Sequence, residues 1–181
     1  TEAHTLKAVL FDLDDTLIDW SGFDHDWEKR ERTLLRGVYD YTRAELHPLN
    51  DFEALLDAFM LRTRSAWEGA RASLRAPNLG AVLTESLADL GVPTALINTQ
   101  RVLESYPWGA IPGAVVFPDA LEVLPLLHEH GVRTGIVTNA YQPMWLRDRE
   151  IEHFGLLPHF PDCRISAADV GYLKPHPAIF E

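Results

Sequence analysis

The sequence predicts an α/β protein with a doubly wound parallel sheet, because short apolar runs alternate with stretches of helical periodicity. Each run is rich in strand-forming residues, and the first is expected to be buried on both faces. The helix before the second run contains Pro125, so we expect it to kink or to divide near Leu124. The helix after that run has Pro143 in its first turn and Gly155 at its end. The predicted strands occupy residues 6–12, 132–139 and 163–166, and the last helix occupies residues 142–154.

A long stretch after the first strand has apolar residues at helical spacing and no strand-like alternation. One helix is predicted over residues 27–45, and the next is expected to start at a capping box formed by Asn50 and Glu53. Gly22 and Gly113 mark the two ends of the stretch. The sequence therefore predicts an all-helical domain of residues 18–111, inserted into a discontinuous α/β core of residues 1–17 and 112–181.

The charge of the chain excludes several classes of function. Its 181 residues include 27 Asp and Glu against 16 Lys and Arg, a formal net charge of −11. Such a chain repels phosphate backbones and anionic lipid, which argues against a general nucleic-acid or membrane binder. Its single cysteine, Cys163, cannot form an internal disulfide, so a cytoplasmic location is expected. An anionic substrate would need positive charge supplied locally, and a metal ion is a direct source.

Three acidic residues lie at the carboxyl end of the first predicted strand, in the motif Asp12-Leu13-Asp14-Asp15-Thr16. Ligands of open α/β sheets gather at the carboxyl ends of the strands. Residues two apart in an extended segment point the same way, so Asp12 and Asp14 are expected to share one crevice. Close carboxylates favour a bound cation or a retained proton, which serve metal binding and acid catalysis. The alternative is an acidic turn in which Asp15 or Thr16 caps the next helix.

Two further pieces of sequence are expected at the same edge of the sheet. Thr138 and Asn139 end the second predicted strand, where their side chains can donate hydrogen bonds to an anion. Lys174 lies in a proline-flanked loop after the third strand, which can hold its ammonium group inward. Taken singly, a Thr-Asn pair is more often a turn, and a loop lysine is more often solvated.

In this order, these residues resemble the haloacid dehalogenase-like (HAD) hydrolase superfamily, including Lys174 in a Lys-Pro-x-Pro setting. The helical insertion is similar to the family's helical cap, and the resemblance implies a Rossmann-like core. It implies that Asp12 attacks phosphorus as the nucleophile and that Asp14 serves as general acid and then general base. It further implies that Thr138 and Asn139 bind the phosphoryl group and that Lys174 neutralises its charge. Mg²⁺ would be held by the Asp12 carboxylate and the Asp14 main-chain carbonyl.

The resemblance implies a Mg²⁺-dependent phosphomonoester hydrolase that acts on a small phosphorylated metabolite. Family members that displace halide lack an acid at the position of Asp14. Phosphonate-cleaving members use a cap lysine, and the only lysine in residues 18–111, Lys29, lies in a charged run typical of a solvated face. Two alternatives stay open: a phosphomutase of the same superfamily, and a catalytically incomplete chain that acts as a binding module.

The family's fourth motif, which supplies further acids to the metal site, is expected beyond Phe180, so the core is expected to be truncated at its C-terminal end. The strand that carries this motif would pair beside the first strand. Without it, we expect an apolar sheet edge prone to self-association, weak Mg²⁺ binding and little activity.

Residues of the insertion offer candidate substrate contacts. Arg64, Arg71 and Arg75 either line one helical face that attracts an anionic substrate or form an ordinary solvated face. Trp20 and Phe23 either touch the substrate or pack the insertion against the core.

Overall fold

Three parallel strands form the main sheet of the computed structural model, which describes residues 6–181. The sheet consists of β1 (Ala8–Phe11), β4 (Arg133–Thr138) and β5 (Arg164–Ser166), and a separate ribbon consists of β2 (Ile18–Asp19) and β3 (Val115–Val116). Strand β4 lies in the middle, with Ala8 opposite Arg133 and Thr138 opposite Ser166. The predicted α/β fold with a parallel sheet is confirmed. Because the strands are parallel, their carboxyl ends meet at one edge of the sheet.

Seven α-helices accompany these strands in the described residues. They are α1 (Trp27–Tyr41), α2 (Phe52–Ser73), α3 (Leu79–Asp89), α4 (Thr99–Glu104), α5 (Pro118–Glu129), α6 (Met144–His153) and α7 (Ala167–Val170). We call α1–α4 the helical insertion. A π-helical turn, Thr42–Leu46, extends α1 and accounts for the predicted end near residue 45. Within residues 6–181, no helix has both the length and the apolar composition that a bilayer span requires.

The predicted start of α2 is wrong by one residue. Asp51, rather than Asn50, is the N-cap, and its carboxylate accepts a hydrogen bond from the backbone N–H of Ala54 at 3.0 Å. Asp51 has the extended backbone that an N-cap needs, so its side chain reaches the free N–H groups of the first turn.

The expectation that β1 is buried on both faces is wrong for the part of the chain that the structure describes. Ala8 and Leu10, on one face, are exposed, with 51% of Leu10 accessible, and Val9 and Phe11, on the other face, are only half-buried. Within the described residues β1 pairs with β4 along one edge and has no partner strand along the other, as expected for an open apolar edge. The central strand β4 takes the buried position, with five of its six residues buried. The predicted self-association through the β1 edge stays a prediction.

Of the two outcomes expected at Pro125, a divided helix is wrong, because α5 runs without interruption from Pro118 to Glu129. A kink in this helix stays a prediction. A proline leaves the carbonyl four residues earlier without its helical donor. That carbonyl belongs to Leu121, which is 43% exposed, so water can satisfy it.

Residues 18–111 are not helical from their first residue. Ile18 and Asp19 form strand β2, which pairs in antiparallel register with Val116 and Val115 of β3. The helical insertion therefore leaves and rejoins the core through a two-stranded ribbon. The sequence shows no alternation here because two residues are too few to display a period of two.

The two chain segments beside this ribbon touch backbone to backbone at Gly22 and Gly113. A Cβ atom on Gly22 would lie 2.3 Å from the carbonyl oxygen of Gly113, and one on Gly113 would lie 2.2 Å from that of Gly22. Gly113 also has a φ of +84°, which side chains disfavour. Only glycine fits this close approach, which explains the glycines that mark both ends of the stretch.

The helical insertion packs directly on the core. Its apolar cluster includes Tyr141 and Leu146, which belong to the core around α6. The backbone N–H of Leu79, at the start of α3, donates to the carbonyl of Tyr141 at 2.8 Å. Ala76 donates in the same way to Gly171 at 3.0 Å. These contacts fix the segment between α2 and α3 against the core.

We predict that Gly22→Ala lowers the free energy of unfolding by about 1–3 kcal/mol, because its methyl group must displace backbone atoms. Thermal or urea unfolding measures the change. The matched control is Gly69→Ala in α2, whose added Cβ meets no atom within 4 Å. This control is expected to stabilise the helix by roughly 0.5–1 kcal/mol. Equal effects of the two substitutions would contradict the prediction.

Candidate active site

Asp12 and Lys174 form an ion pair at the carboxyl edge of the sheet. Lys174 Nζ lies 2.7 Å from Asp12 Oδ1 and donates to the carbonyl of Val137 in β4 at 2.6 Å. The backbone N–H of Leu13 also donates to Asp12 Oδ1, at 2.8 Å. Both contacts to Asp12 use Oδ1, and within the described chain Oδ2 has no hydrogen-bond partner. The Asp12 side chain is 45% exposed, so its free oxygen is accessible to a ligand.

Asp14 is held by two donors from other elements. The hydroxyl of Thr138, which is fully buried at the end of β4, donates to Asp14 Oδ2 at 3.3 Å. Arg147 on α6 donates from Nη2 to Asp14 Oδ1 at 2.5 Å. These contacts fix the direction of a carboxylate that is still 31% exposed.

Arg147 was not among the residues singled out from the sequence, yet it lies beside the predicted acids. Its side chain is 2% exposed, and its Nε lies 3.0 Å from Oε2 of the fully buried Glu150. That N–H is not aligned for a hydrogen bond, so the contact is ionic. Burial alone lowers the pKa of Arg147, but the charges of Glu150 and Asp14 more than offset it and the pKa is raised. Burial also raises the pKa of Glu150, against the opposing effect of Arg147.

Asn139 holds the loop that carries Lys174. Its Oδ1 accepts from the backbone N–H of Lys174 at 2.7 Å, and its Nδ2 donates to the carbonyl of Lys174 at 3.3 Å. The side chain of Asn139 is thus engaged by protein backbone. The structure therefore brings all five predicted site residues to one place, with Asn139 positioned to orient Lys174.

The oxygen atoms around Asp12 fit the chemistry of Mg²⁺, which prefers carboxylate, carbonyl and water ligands. The free Oδ2 of Asp12 and the main-chain carbonyl of Asp14 are the oxygens that could hold the ion. Residues 6–181 contain no cluster of three or more Asp, Glu, His or Cys residues placed to bind a metal. Mg²⁺ usually keeps several waters and binds substrate oxygens at its remaining positions.

A cavity of about 530 Å³ lies between this site and the helical insertion. Asp14, Asn139 and Arg147 line it from the core, and Trp27 and Trp67 line it from α1 and α2. The volume lies within the range of small-molecule sites. The cavity therefore joins Asp14 and Asn139 of the predicted site to a wall of aromatic side chains.

A buried acid, Glu31, forms part of this wall. It accepts hydrogen bonds from the hydroxyls of Tyr106 at 2.6 Å and Tyr141 at 3.2 Å. Burial raises the pKa of the Glu31 carboxyl, although both tyrosine hydrogen bonds act in the opposite direction. Sequence reasoning missed Glu31 because it lies in a run of charged residues that is typical of a solvated helix face.

The other candidate residues from the sequence differ in their position relative to the cavity. Arg64, Arg71 and Trp20 line the cavity, whereas Phe23 is buried in the apolar cluster of the insertion. Arg75 lies outside the lining, with its guanidinium 5.4 Å from the ring centre of Tyr172. Lys29 is solvated, with a 72% exposed side chain that pairs with Asp24 at 3.4 Å.

Comparison with known proteins points to one family. The family model of haloacid dehalogenase-like hydrolases matches residues 6–181. Among solved structures, the chain is similar to a 2-haloacid dehalogenase from Pseudomonas syringae pv. Tomato DC3000, with 25% identity and a TM-score of 0.53. It is also similar to an L-2-haloacid dehalogenase from Xanthobacter autotrophicus, with 20% identity and a TM-score of 0.45. No curated protein sequence matches it.

The two structural matches include almost all of this chain and a smaller share of the solved proteins. In both cases 97% of this chain is covered. The chain spans 70% of the Pseudomonas protein and 62% of the Xanthobacter protein.

We predict that Arg147→Met lowers the free energy of unfolding by about 3–5 kcal/mol, because Glu150 then lies buried without a positive partner. The control is Arg149→Met on the exposed face of α6, which is expected to change stability little. Adding Glu150→Gln to Arg147→Met should restore part of the loss. A chemical unfolding series measures all variants, and equal effects at positions 147 and 149 would refute the prediction.

We also predict that the free energy of unfolding of Glu31→Gln rises relative to that of the wild type as pH increases above 4.5, the ordinary pKa of the carboxyl. A carboxyl with a raised folded-state pKa binds protons more tightly in the folded state. The wild type therefore loses stability as pH rises from 4.5 through that higher value. Glutamine does not titrate, and each unit of raised pKa is equivalent to about 1.4 kcal/mol.

Unfolding free energies measured between pH 4 and 8 test this difference. Glu28→Gln on the exposed face of α1 is the control and should show no such trend. A pH-independent difference for Glu31→Gln would contradict the prediction.

Proposed function

We propose that this chain, which belongs to the haloacid dehalogenase-like hydrolase family, hydrolyses phosphate monoesters through an aspartyl-phosphate on Asp12. The observation that carries the proposal is the position of Asp14. Its carboxylate is oriented by Thr138 and Arg147 and lines the cavity beside the site. A leaving alkoxide needs a proton at such a position, whereas a leaving halide does not.

In the first step, a carboxylate oxygen of Asp12 forms a bond to phosphorus while the bond to the ester oxygen breaks. The leaving oxygen takes a proton from the protonated carboxyl of Asp14. Oδ2 of Asp12 is left for the proposed metal ion, so Oδ1, which lies 2.7 Å from Lys174 Nζ, is the oxygen proposed to attack.

In the second step, water attacks phosphorus and Asp14, now a carboxylate, takes its proton. The bond between phosphorus and Asp12 breaks, and inorganic phosphate leaves. The contacts with Arg147 and Thr138 hold the Asp14 carboxylate in position for this step. The same carboxyl therefore serves both steps.

The charge of the phosphoryl group would be met by Lys174 and by hydrogen-bond donors at the end of β4. Lys174 is 20% exposed and already lies at the nucleophile. Thr138 can turn its hydroxyl from Asp14 towards an entering phosphoryl oxygen. Since the Asn139 side chain is occupied by the backbone of Lys174, its main-chain N–H is the group proposed to bind phosphate. Such positioning and charge stabilisation are the main needs of phosphoryl transfer.

Mg²⁺ is proposed as the cofactor, held by the Asp12 carboxylate and the Asp14 main-chain carbonyl. When bound, it would neutralise charge on the phosphoryl oxygens. The residue chemistry supports this choice, because both donors are hard oxygens.

A second candidate is hydrolytic dehalogenation of a 2-haloacid. It is supported by the similarity to the Pseudomonas 2-haloacid dehalogenase, at 25% identity and a TM-score of 0.53. In that reaction Asp12 would attack carbon and displace halide, and Asp14 would have no leaving group to protonate. The two functions therefore differ in their need for Asp14.

We predict that Asp14→Asn lowers phosphate release from 4-nitrophenyl phosphate by roughly 10²–10⁴-fold, the usual contribution of a general acid–base group. Mg²⁺ affinity, measured by calorimetry, should stay unchanged because the proposed metal contact is a carbonyl. The matched control, Asp15→Asn, makes the same chemical change one residue later and should keep activity. Asp15 has a φ of +57°, a conformation that asparagine tolerates well.

Chloride release from 2-chloropropionate separates the two candidates. Chloride release without phosphate release, undiminished in Asp14→Asn, would replace the proposed function with dehalogenation. Asp12→Asn should abolish either reaction, and full turnover in that variant would refute the role of Asp12 as nucleophile.

A further inference from the structure

The cavity beside Asp14 is built to hold more than a phosphate group. Four of the five tryptophans of the chain line it, namely Trp20, Trp27, Trp67 and Trp108. With a volume of about 530 Å³, it can accept a ring system beside the phosphate. Aromatic walls favour a flat apolar group, which they contact by offset or edge-to-face stacking.

Helix α2 adds positive charge to this aromatic wall. Arg64 and Arg71 both line the cavity and are solvent exposed. They lie seven residues apart, which places them two turns apart on the helix face that also carries Trp67. Glu68, between them, also lines the cavity, so this stretch of α2 keeps one excess positive charge.

Within the described residues, Arg64 and Arg71 form no ion pairs. Within residues 6–181, neither guanidinium lies within 4.0 Å of a carboxylate. By contrast, Arg62 on another face of the same helix pairs with Glu85 and Asp89, each at 2.5 Å. The chain has a net charge of −11, so two unpaired arginines in one cavity contrast with the overall negative charge. An anionic ligand would be electrostatically complementary to these arginines.

We propose that the substrate is a phosphate ester whose leaving group is an aromatic ring bearing a second anionic group. The phosphate lies at Asp12, the ring lies against the tryptophans, and the second anion lies against Arg64 and Arg71. This substrate class rests on the proposed phosphatase function, because that function places the phosphate at Asp12, on the side of the cavity that Asp14 lines. Arg64 and Arg71 are then specificity-determining residues.

Equilibrium binding of phosphonates, which cannot be hydrolysed as esters, tests the proposal without turnover. The probes are methylphosphonate, benzylphosphonate, (4-carboxybenzyl)phosphonate and its neutral carboxamide analogue, each titrated with Mg²⁺ present. Quenching of tryptophan fluorescence reports binding, since most of the tryptophans line the cavity. We expect benzylphosphonate to bind more tightly than methylphosphonate. We expect the carboxylate to bind about tenfold more tightly than the carboxamide, the effect of about 1.4 kcal/mol.

Substitution of the arginines tests the source of this preference. Arg64→Gln and Arg71→Gln should each reduce the carboxylate-to-carboxamide ratio several-fold and leave methylphosphonate binding unchanged. Arg101→Gln is the control, because it removes the same charge from an exposed position on α4 outside the cavity. The proposal is overturned if the carboxylate and the carboxamide bind equally, or if the control changes the ratio as much as the two cavity variants.

The outcome is separable from that of the proposed function. Carboxylate-selective binding that depends on Arg64 and Arg71, in a protein without phosphatase activity, would support the anion site and refute the phosphatase function. Phosphatase activity without a preference for the carboxylate would support the phosphatase function and refute the anion site.

Discussion

The buried guanidinium of Arg147 connects the parts of the molecule that must act together. It binds the Asp14 carboxylate from the loop after β1, pairs with Glu150 on its own helix and lies 5.6 Å from the ring centre of Trp108. Trp108 belongs to the segment that returns from the helical insertion. A single cation thus fixes the proposed acid–base residue relative to both α6 and the wall of the cavity. Because a buried charge is costly without partners, each of these contacts depends on the others.

The balance of charges at the site explains why an anionic substrate would need additional positive charge to bind there. Three carboxylates, those of Asp12, Asp14 and Glu150, meet the two cations Arg147 and Lys174. Burial raises the pKa of Glu150, and the charge of Arg147 opposes that effect. A further cation would stabilise a phosphate dianion that enters such a site. The proposed Mg²⁺ at the nucleophile would supply one, and the arginines of α2 would supply another at the opposite end of the substrate.

Local sequence patterns predicted most of the fold, and tertiary contacts decided the features that these patterns did not predict. The sequence places β4 and α6 within two residues of their observed ends, because a buried strand and a helix punctuated by Pro143 and Gly155 have strong local signals. The burial of β1 on both faces was predicted wrongly, since tertiary packing decides which faces of a strand are covered. The ribbon of β2 and β3 was also missed, because its two segments lie almost 100 residues apart and each is two residues long.

The sequence by itself determined which side chains meet at the carboxyl edge of the sheet. The two-residue spacing of Asp12 and Asp14 and the position of Thr138 at a strand end are local facts, and parallel pairing brings them together. Only the tertiary structure decided that Arg147 orients Asp14. These residues are 133 positions apart, and an arginine in a charged, amphipathic helix is indistinguishable in sequence from its solvated neighbours. Which helix face turns inward depends on packing across the whole chain, and that packing also aligns Arg64 and Arg71 with the cavity.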